Sequence, residues 1–396
     1  MDTFITTNRE SFGHKFAKEN PHMLQRIFGT NDLTPFWLAD MDFPVAQPIT
    51  QELQRLVNRG VYAYEFNADE VYRAIATWNK ERHQLSLKPE NFIQVSGVLT
   101  GIALLVRELS DPGEGVLIQP PVYHQFAQII KTANRKIVKN PLKLVNGTYQ
   151  MDFDDLEQKL QTENVKIILL CNPHNPVGRV WKTEELQQLV EIANRYQVTI
   201  ISDEIHSDII YSGHRFNSLM SLDKHLQHIS LIGSPAKTFG MQSIANGYIY
   251  IPDDDTRKTI KSVVASMYLN HGNALTTFAT IAAYRKGQEW VNDLVSYLEK
   301  TLAWITSYLK SELPMVKMYP VEGTYQVWLD FRETGLNQKT LADLVVKQAK
   351  LGLTPGNWFA KENALFMRMN IASPLPKVQQ AFQQLGLVWS QTSDLL

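Results

Sequence analysis

Residues 165–178 read VKIILLCNPHNPVG. Val165–Leu170 is an apolar, β-branched run of the kind a strand buried on both faces requires. A polar loop rich in Asn and Pro follows it at once, and a helix is predicted from Thr183, with Thr183 as N-cap and Glu184 and Glu185 in the first turn. The stripe Leu186, Leu189, Val190, Ala193 and Tyr196 keeps close to the helical period. Val198–Ile201 is then a second buried strand. Strand, helix and strand in this order predict a mostly parallel sheet covered by helices.

The same alternation extends outward in both directions. Phe92–Val95 leads through Ser96-Gly97 into a helical stretch ending near Leu109, and Val116–Ile118 precedes a helix near Tyr123–Ala133. Ser230–Ile232 leads into Gly233-Ser234-Pro235-Ala236-Lys237. From about residue 255 to 312 the pattern is helical, and after Pro314 it changes. Tyr325–Phe331, a helix near Thr340–Ala349 and Phe366–Ile371 predict a smaller α+β domain. The expected class is α/β, with a large, doubly wound, mostly parallel sheet domain beside that smaller one. The expected organisation is an N-terminal arm over residues 1–45 packing with the small domain, a large domain over 46–285, and the small domain over 286–396.

Composition narrows the function. The chain has 396 residues, with 39 Lys plus Arg against 40 Asp plus Glu, a net charge of -1. No cationic excess is available for a phosphate backbone, so nucleic acid is not an expected partner. One cysteine, Cys171, excludes an internal disulfide and any multi-cysteine metal site. His225 and His228 lack a carboxylate or cysteine at metal spacing and are expected to be solvated. No secretory leader and no apolar run of the ~18–20 residues a bilayer demands can be found, so a cytoplasmic protein without membrane contact is expected.

In a doubly wound sheet, ligands bind beyond the carboxyl ends of the strands. The predicted strand ends supply Gly97, Asn175, Asp203 with His206, and Ser234 with Lys237. Together they describe a site for a charged, phosphorylated, aromatic cofactor with a reactive carbonyl.

Seven stretches resemble the aspartate-aminotransferase fold of pyridoxal-phosphate enzymes, and within it the MalY/PatB-type cystathionine β-lyases, which cleave C–S bonds. They are WLADMDFP (37–44), QPPVYHQF (119–126), CNPHNPVGRVW (171–181), SDEIHSD (202–208), SPAKTF (234–239), GTYQVWLDF (323–331) and RMNIASP (368–374). The resemblance implies pyridoxal 5'-phosphate as cofactor and an amino acid as substrate. It makes Lys237 the lysine that condenses with the cofactor aldehyde and Asp203 the partner of the pyridine nitrogen. Asn175 and His206 would lie near the phenolic oxygen, and Tyr123 would stack on the ring. Gly97, Val98, Leu99 and Ser234 would hold the phosphate. Tyr64, or Tyr62 two residues earlier, would reach that phosphate across a homodimer interface. Arg368, with Asn175, would bind the substrate's α-carboxylate. The sequence departs from the family at Ala236, where many relatives have a second serine, and at Ser243, where a glycine is expected.

The implied reaction is α,β-elimination from cystathionine or cysteine, giving a thiol, pyruvate and ammonia. An aminotransferase of the same fold is the alternative, because it shares every cofactor residue named. Ser234-Pro235-Ala236-Lys237 also fits the Ser-x-x-Lys motif of penicillin-recognising hydrolases, but the chain lacks that class's Ser-Asp-Asn and Lys-Thr-Gly segments.

Overall fold

The computed structural model describes residues 15–65, 68–222, 226–269 and 272–393. His225 and the first 14 residues of the arm lie outside them. The chain divides into two compact units. One holds residues 45–175 and 179–291; the other holds the described residues up to Pro44, Pro176–Gly178, and the chain from Asn292 onward.

Seven strands build the larger unit's sheet. In chain order they are β1 (Phe92–Val95), β2 (Gly115–Ile118), β3 (Lys136–Lys139), β4 (Val165–Cys171), β5 (Thr199–Asp203), β6 (Ile229–Gly233) and β7 (Gly247–Tyr250). Their spatial order is β1-β7-β6-β5-β4-β2-β3. β7 alone runs antiparallel, to β1 on one side and β6 on the other. The other adjacent pairs are parallel. The predicted α/β class therefore holds, with one reversed strand inside a parallel frame.

Burial explains why these segments are strands. Ile167, Ile168, Leu169 and Leu170 are all fully buried, so consecutive residues face apolar surroundings on opposite sides of the sheet. Each such side chain contributes about 1.5–3 kcal/mol relative to exposure. On one face, Ile167, Leu169, Cys171, Ile201 and Ile232 join Ile102 and Leu105 of the helix Val98–Glu108 in a single core.

Two local expectations are corrected. Thr183 is the first helical residue rather than the cap; Lys182 occupies the cap position, and its N–H is bound by the Glu185 carboxylate at 2.8 Å. An acid in the first turn thus does the capping from inside the helix. The helix expected near Thr340–Ala349 is α-helical only over Gln338–Asp343, and a π-turn follows over Leu344–Gln348.

The smaller unit has a four-stranded antiparallel sheet of β8 (Lys317–Met318), β9 (Gln326–Asp330), β10 (Thr354–Pro355) and β11 (Phe366–Asn370), in the order β8-β9-β11-β10. Residues 34–35 pair in parallel with residues 351–352, which fastens the N-terminal segment to this unit. Lys18 is fully buried there against Asp42 and Asp40, and Asp42 also takes the Ser373 hydroxyl at 2.7 Å and the Lys377 ammonium at 2.9 Å. The helix Gln288–Glu312 carries the chain from one unit to the other. Among the described residues no helix is long and apolar enough to cross a membrane.

Candidate active site

The parallel strands make one edge of the large sheet a collecting point. The carboxyl ends of β1, β2, β4, β5 and β6 all reach it, and the reversed β7 begins there. The loops leaving this edge carry Gly97, Tyr123, Asn175, Asp203 with His206, and Ser234 with Lys237.

Asp203 closes β5 and is buried. Its Oδ1 accepts the Ile205 N–H at 3.1 Å. Burial pushes its pKa up to about 7, and that hydrogen bond and the Lys237 charge offset the shift only in part. Asp203 is a carboxylate whose surroundings under-solvate it, and a cation placed against it would be strongly favoured. Beside it, the Asn172 N–H donates to the Asp203 carbonyl at 2.9 Å, and Cys171 is its register partner on β4. The buried Cys171 sulfur in turn accepts the Asn175 N–H at 3.4 Å, which brings Asn175 to the same corner. Burial and the nearby Asp203 charge push the Cys171 thiol up, so it stays neutral.

Lys237 is half-buried on a five-residue helix, Pro235–Phe239. Ser234 caps that helix by accepting the Ala236 N–H at 3.1 Å, and its own proton goes to the Asn246 carbonyl at 2.8 Å. Gly240 ends the helix at φ 71°, a left-handed conformation that suits glycine. Ala236 lies within this helix, and Ser243 is exposed on the turn after it.

Gly97 precedes the helix Val98–Glu108 and offers no side-chain cap to its first N–H groups. β7 reaches that helix start closely. A Cβ at Gly247 would sit 2.8 Å from the Val98 nitrogen, so only glycine fits. Asn246, Gly247, Ser234 and the Gly97–Val98 turn therefore form one pole of the edge, at a helix start that favours an anion. Val98 is buried, while Leu99 is exposed.

Tyr123 is half-buried, and its ring meets that of His124 edge to face at 5.1 Å. Its loop is tied to the Asn175 loop by His174, whose Nε2 lies 2.9 Å from the Pro121 carbonyl oxygen. Burial pulls the His174 pKa down to about 4, so the ring is neutral and serves as a strut rather than an acid or base. His206 is buried in the turn after β5 and accepts the Ile209 N–H at its carbonyl. The linking part of His174 has no local signal in the sequence, because its partner is 53 residues away.

Tyr64 and Tyr62 are 98% and 61% exposed. Both lie on the surface of the single chain. Arg368 belongs to the smaller unit, on β11, and is 3% exposed. It donates to the Trp37 carbonyl at 2.9 Å and lies over the Phe359 ring at 5.1 Å. The structure thus gathers Gly97, Val98, Asn175, Asp203, Ser234 and Lys237 along one edge, and places Arg368 on a different sheet.

The arrangement has three chemical poles: an anion site at a helix start, a buried carboxylate that calls for a cationic ring N–H, and a lysine amine. A phosphorylated pyridine aldehyde satisfies all three.

The sequence pattern of the family Aminotransferase class I and II matches residues 34–385. Cystathionine beta-lyase PatB of Bacillus subtilis is 35% identical over 360 residues, 91% of this chain and 93% of that protein. Protein MalY of Escherichia coli is 30% identical over 355 residues, 89% and 90% of the two chains. The crystal structure of the PLP-bound C–S lyase from Staphylococcus hominis superposes with a TM-score of 0.87 at 28% identity, covering 97% of this chain and 96% of that one.

Proposed function

The chain belongs to the class I and II aminotransferase family, and from that premise we propose that it is a pyridoxal 5'-phosphate-dependent C–S β-lyase. It converts a β-thioether or β-thiol amino acid and water into a thiol, pyruvate and ammonia. L-Cystathionine gives homocysteine; cysteine gives sulfide. The observation that carries the reading is Lys237 opposed to a buried, under-solvated Asp203 at the carboxyl edge of the sheet. The names of the relatives from Bacillus subtilis and Staphylococcus hominis support lyase chemistry over transamination.

When bound, pyridoxal 5'-phosphate supplies an electron sink for the pair left at the substrate's Cα. The chain's own residues do the rest. Lys237 would be the residue that bonds the cofactor and that takes the substrate's Cα proton, and both tasks require its neutral amine. Asp203 holds a proton on the ring nitrogen and relieves its own burial by doing so. Asn175 and His206 would hold the phenolic oxygen, and Tyr123 would cover the ring. The N–H groups at Val98 and Leu99, with Gly97 leaving room, hold the phosphate. Ser234 joins them once its proton turns away from the Asn246 carbonyl. Arg368, with Asn175, binds the α-carboxylate through a planar fork. The thiolate then leaves Cβ as the Cβ–S bond breaks.

The protein works as a cytoplasmic homodimer in this reading, with Tyr64 donated to the phosphate of the other subunit. The nearly complete exposure of Tyr64 supports that role over Tyr62, whose hydroxyl lies 3.5 Å from the Val57 carbonyl of its own chain. In this reading the unit with the described residues up to Pro44 and the chain from Asn292 onward is the substrate-side domain, and the unit holding 45–175 and 179–291 is the cofactor domain.

The test is release of pyruvate and free thiol from L-cystathionine with the cofactor present and no 2-oxo acid. Wild type should turn over and Lys237→Ala should lose on the order of a thousandfold or more. Amino transfer that occurs only with an added 2-oxo acid, and no pyruvate without it, would replace the lyase with an aminotransferase.

A further inference from the structure

Lys237 rides on a helix of five residues. A helix this short does not hold itself, because nucleation is unfavourable and few internal bonds repay it. Its orientation must come from tethers. One is Phe239, whose ring lies 5.4 Å from Trp78 and 5.7 Å from Tyr284. Another is the hydroxyl of Thr238, the residue beside Lys237, which donates to Asp208 Oδ2 at 2.6 Å.

Asp208 is buried and crowded with donors. Its Oδ1 accepts the Trp78 indole N–H at 2.9 Å and lies 2.8 Å from His83 Nε2 and 3.3 Å from Arg82 Nε. The Arg82 guanidinium also donates to its backbone carbonyl at 3.0 Å. Trp78, Arg82 and His83 all lie on the helix Ala68–His83. Asp208 is also five residues from Asp203, across turns closed by Ser207 N–H to the Glu204 carbonyl at 3.0 Å and Ile209 N–H to the His206 carbonyl at 3.1 Å. One carboxylate therefore joins three parts: the loop bearing Asp203, the helix bearing Lys237, and a long helix that anchors both.

We infer that Asp208 is a positioning residue for the reaction, holding Lys237 at a fixed distance from Asp203 through the Thr238 hydroxyl. It touches neither substrate nor cofactor. The inference rests on reading Lys237 as the cofactor-bonding lysine. Thr238 is suited to the task because its branched Cβ restricts χ1 and aims the hydroxyl in one direction. Misplacement of a reacting amine by about 1 Å costs up to about a hundredfold in rate.

The experiment compares Thr238→Val, Thr238→Ser and Asp208→Asn holoenzymes with wild type. Three readouts are taken: the kcat and KM of pyruvate release, the pH of the cofactor's visible absorbance transition, and the unfolding midpoint. Thr238→Val keeps shape and removes only the donor. It should lower kcat about ten- to hundredfold with KM little changed, and should move the absorbance transition. Thr238→Ser should restore most of both. Asp208→Asn should show the same spectral shift, with loss of stability added. Wild-type kcat and absorbance transition in Thr238→Val, with only the unfolding midpoint lowered, would overturn the inference and leave Asp208 a structural carboxylate. Turnover surviving in Lys237→Ala would instead refute the assignment of Lys237, and is read in a separate variant.

Discussion

The two ends of the segment 203–208 carry two aspartates of nearly equal burial with opposite acidities. Asp203, at the sheet edge, is pushed up to about 7, because burial outweighs one backbone N–H and the charge of Lys237. At Asp208, burial also raises the pKa. The hydrogen bond and charge of His83, the Arg82 charge and the Thr238 hydroxyl more than reverse it and hold it at about 2. Burial alone does not define a functional carboxylate. Asp208 is solvated from within the fold, and its charge is a fastening. Asp203 is left short of donors, and binding a ring N–H⁺ completes its surroundings.

Removing the charge at each end should break this contrast in opposite directions. Asp203→Asn should lower kcat/KM for β-elimination by about a thousandfold, as loss of a preorganised charge partner does. The same variant should make the cofactor-free protein more stable than wild type at pH 8. Between its ordinary value of 3.8 and about 7, folded Asp203 keeps a proton that the unfolded chain has released. Stability therefore falls as pH rises through that window. Glu204, also pushed up to about 7 by burial, adds to the slope, so Asp203→Asn should flatten it only in part. Urea midpoints of the cofactor-free proteins at pH 5 and pH 8 measure this. A steeper pH dependence in the variant would contradict the assignment.

Asp208→Asn should do the reverse and destabilise the cofactor-free protein at pH 7 by about 3–5 kcal/mol, the cost of stripping a buried charge of its partner. Because folded Asp208 titrates near 2 against 3.8, its contribution is complete above about 4 and is lost as pH falls towards 2. Wild type should show that acid loss, and the variant should lack its share. Equal acid unfolding in the two proteins would remove Asp208 from the account.

Arg368 sharpens the comparison from the other unit. It is as buried as either aspartate and donates to the Trp37 carbonyl at 2.9 Å and the Thr354 hydroxyl at 3.3 Å. In the proposed reading its planar fork binds the substrate's carboxylate. Arg368→Lys keeps the charge and loses the fork, and should raise KM for L-cystathionine about tenfold or more with a smaller change in kcat. Unchanged KM would move carboxylate binding elsewhere.

The fold was largely legible because buried parallel strands are written as unbroken apolar runs. The runs Val165–Leu170 and Val198–Ile201 fall on the strands Val165–Cys171 and Thr199–Asp203, each of which extends one or two residues further towards the site. The reversed β7 was not singled out. Gly247–Tyr250 follows the Lys237 turn directly, and nothing in GYIY records direction. The cap at Lys182 was misplaced because Thr183 is the better local cap, whereas Glu185 supplies the acceptor from within the helix. At the candidate site, residue types at strand ends revealed the chemistry. The partners that set their behaviour were hidden: Asp208 meets Trp78 and His83 across 130 and 125 residues. Such contacts follow from packing, which no local motif encodes.

The account stands most directly on Lys237 as the residue that bonds the cofactor. Reducing the holoprotein with borohydride and mapping its peptides by mass spectrometry reads this in one measurement. The account predicts one cofactor-bearing residue per chain, Lys237. Reduced cofactor on any other lysine, or none retained after denaturation, would contradict it.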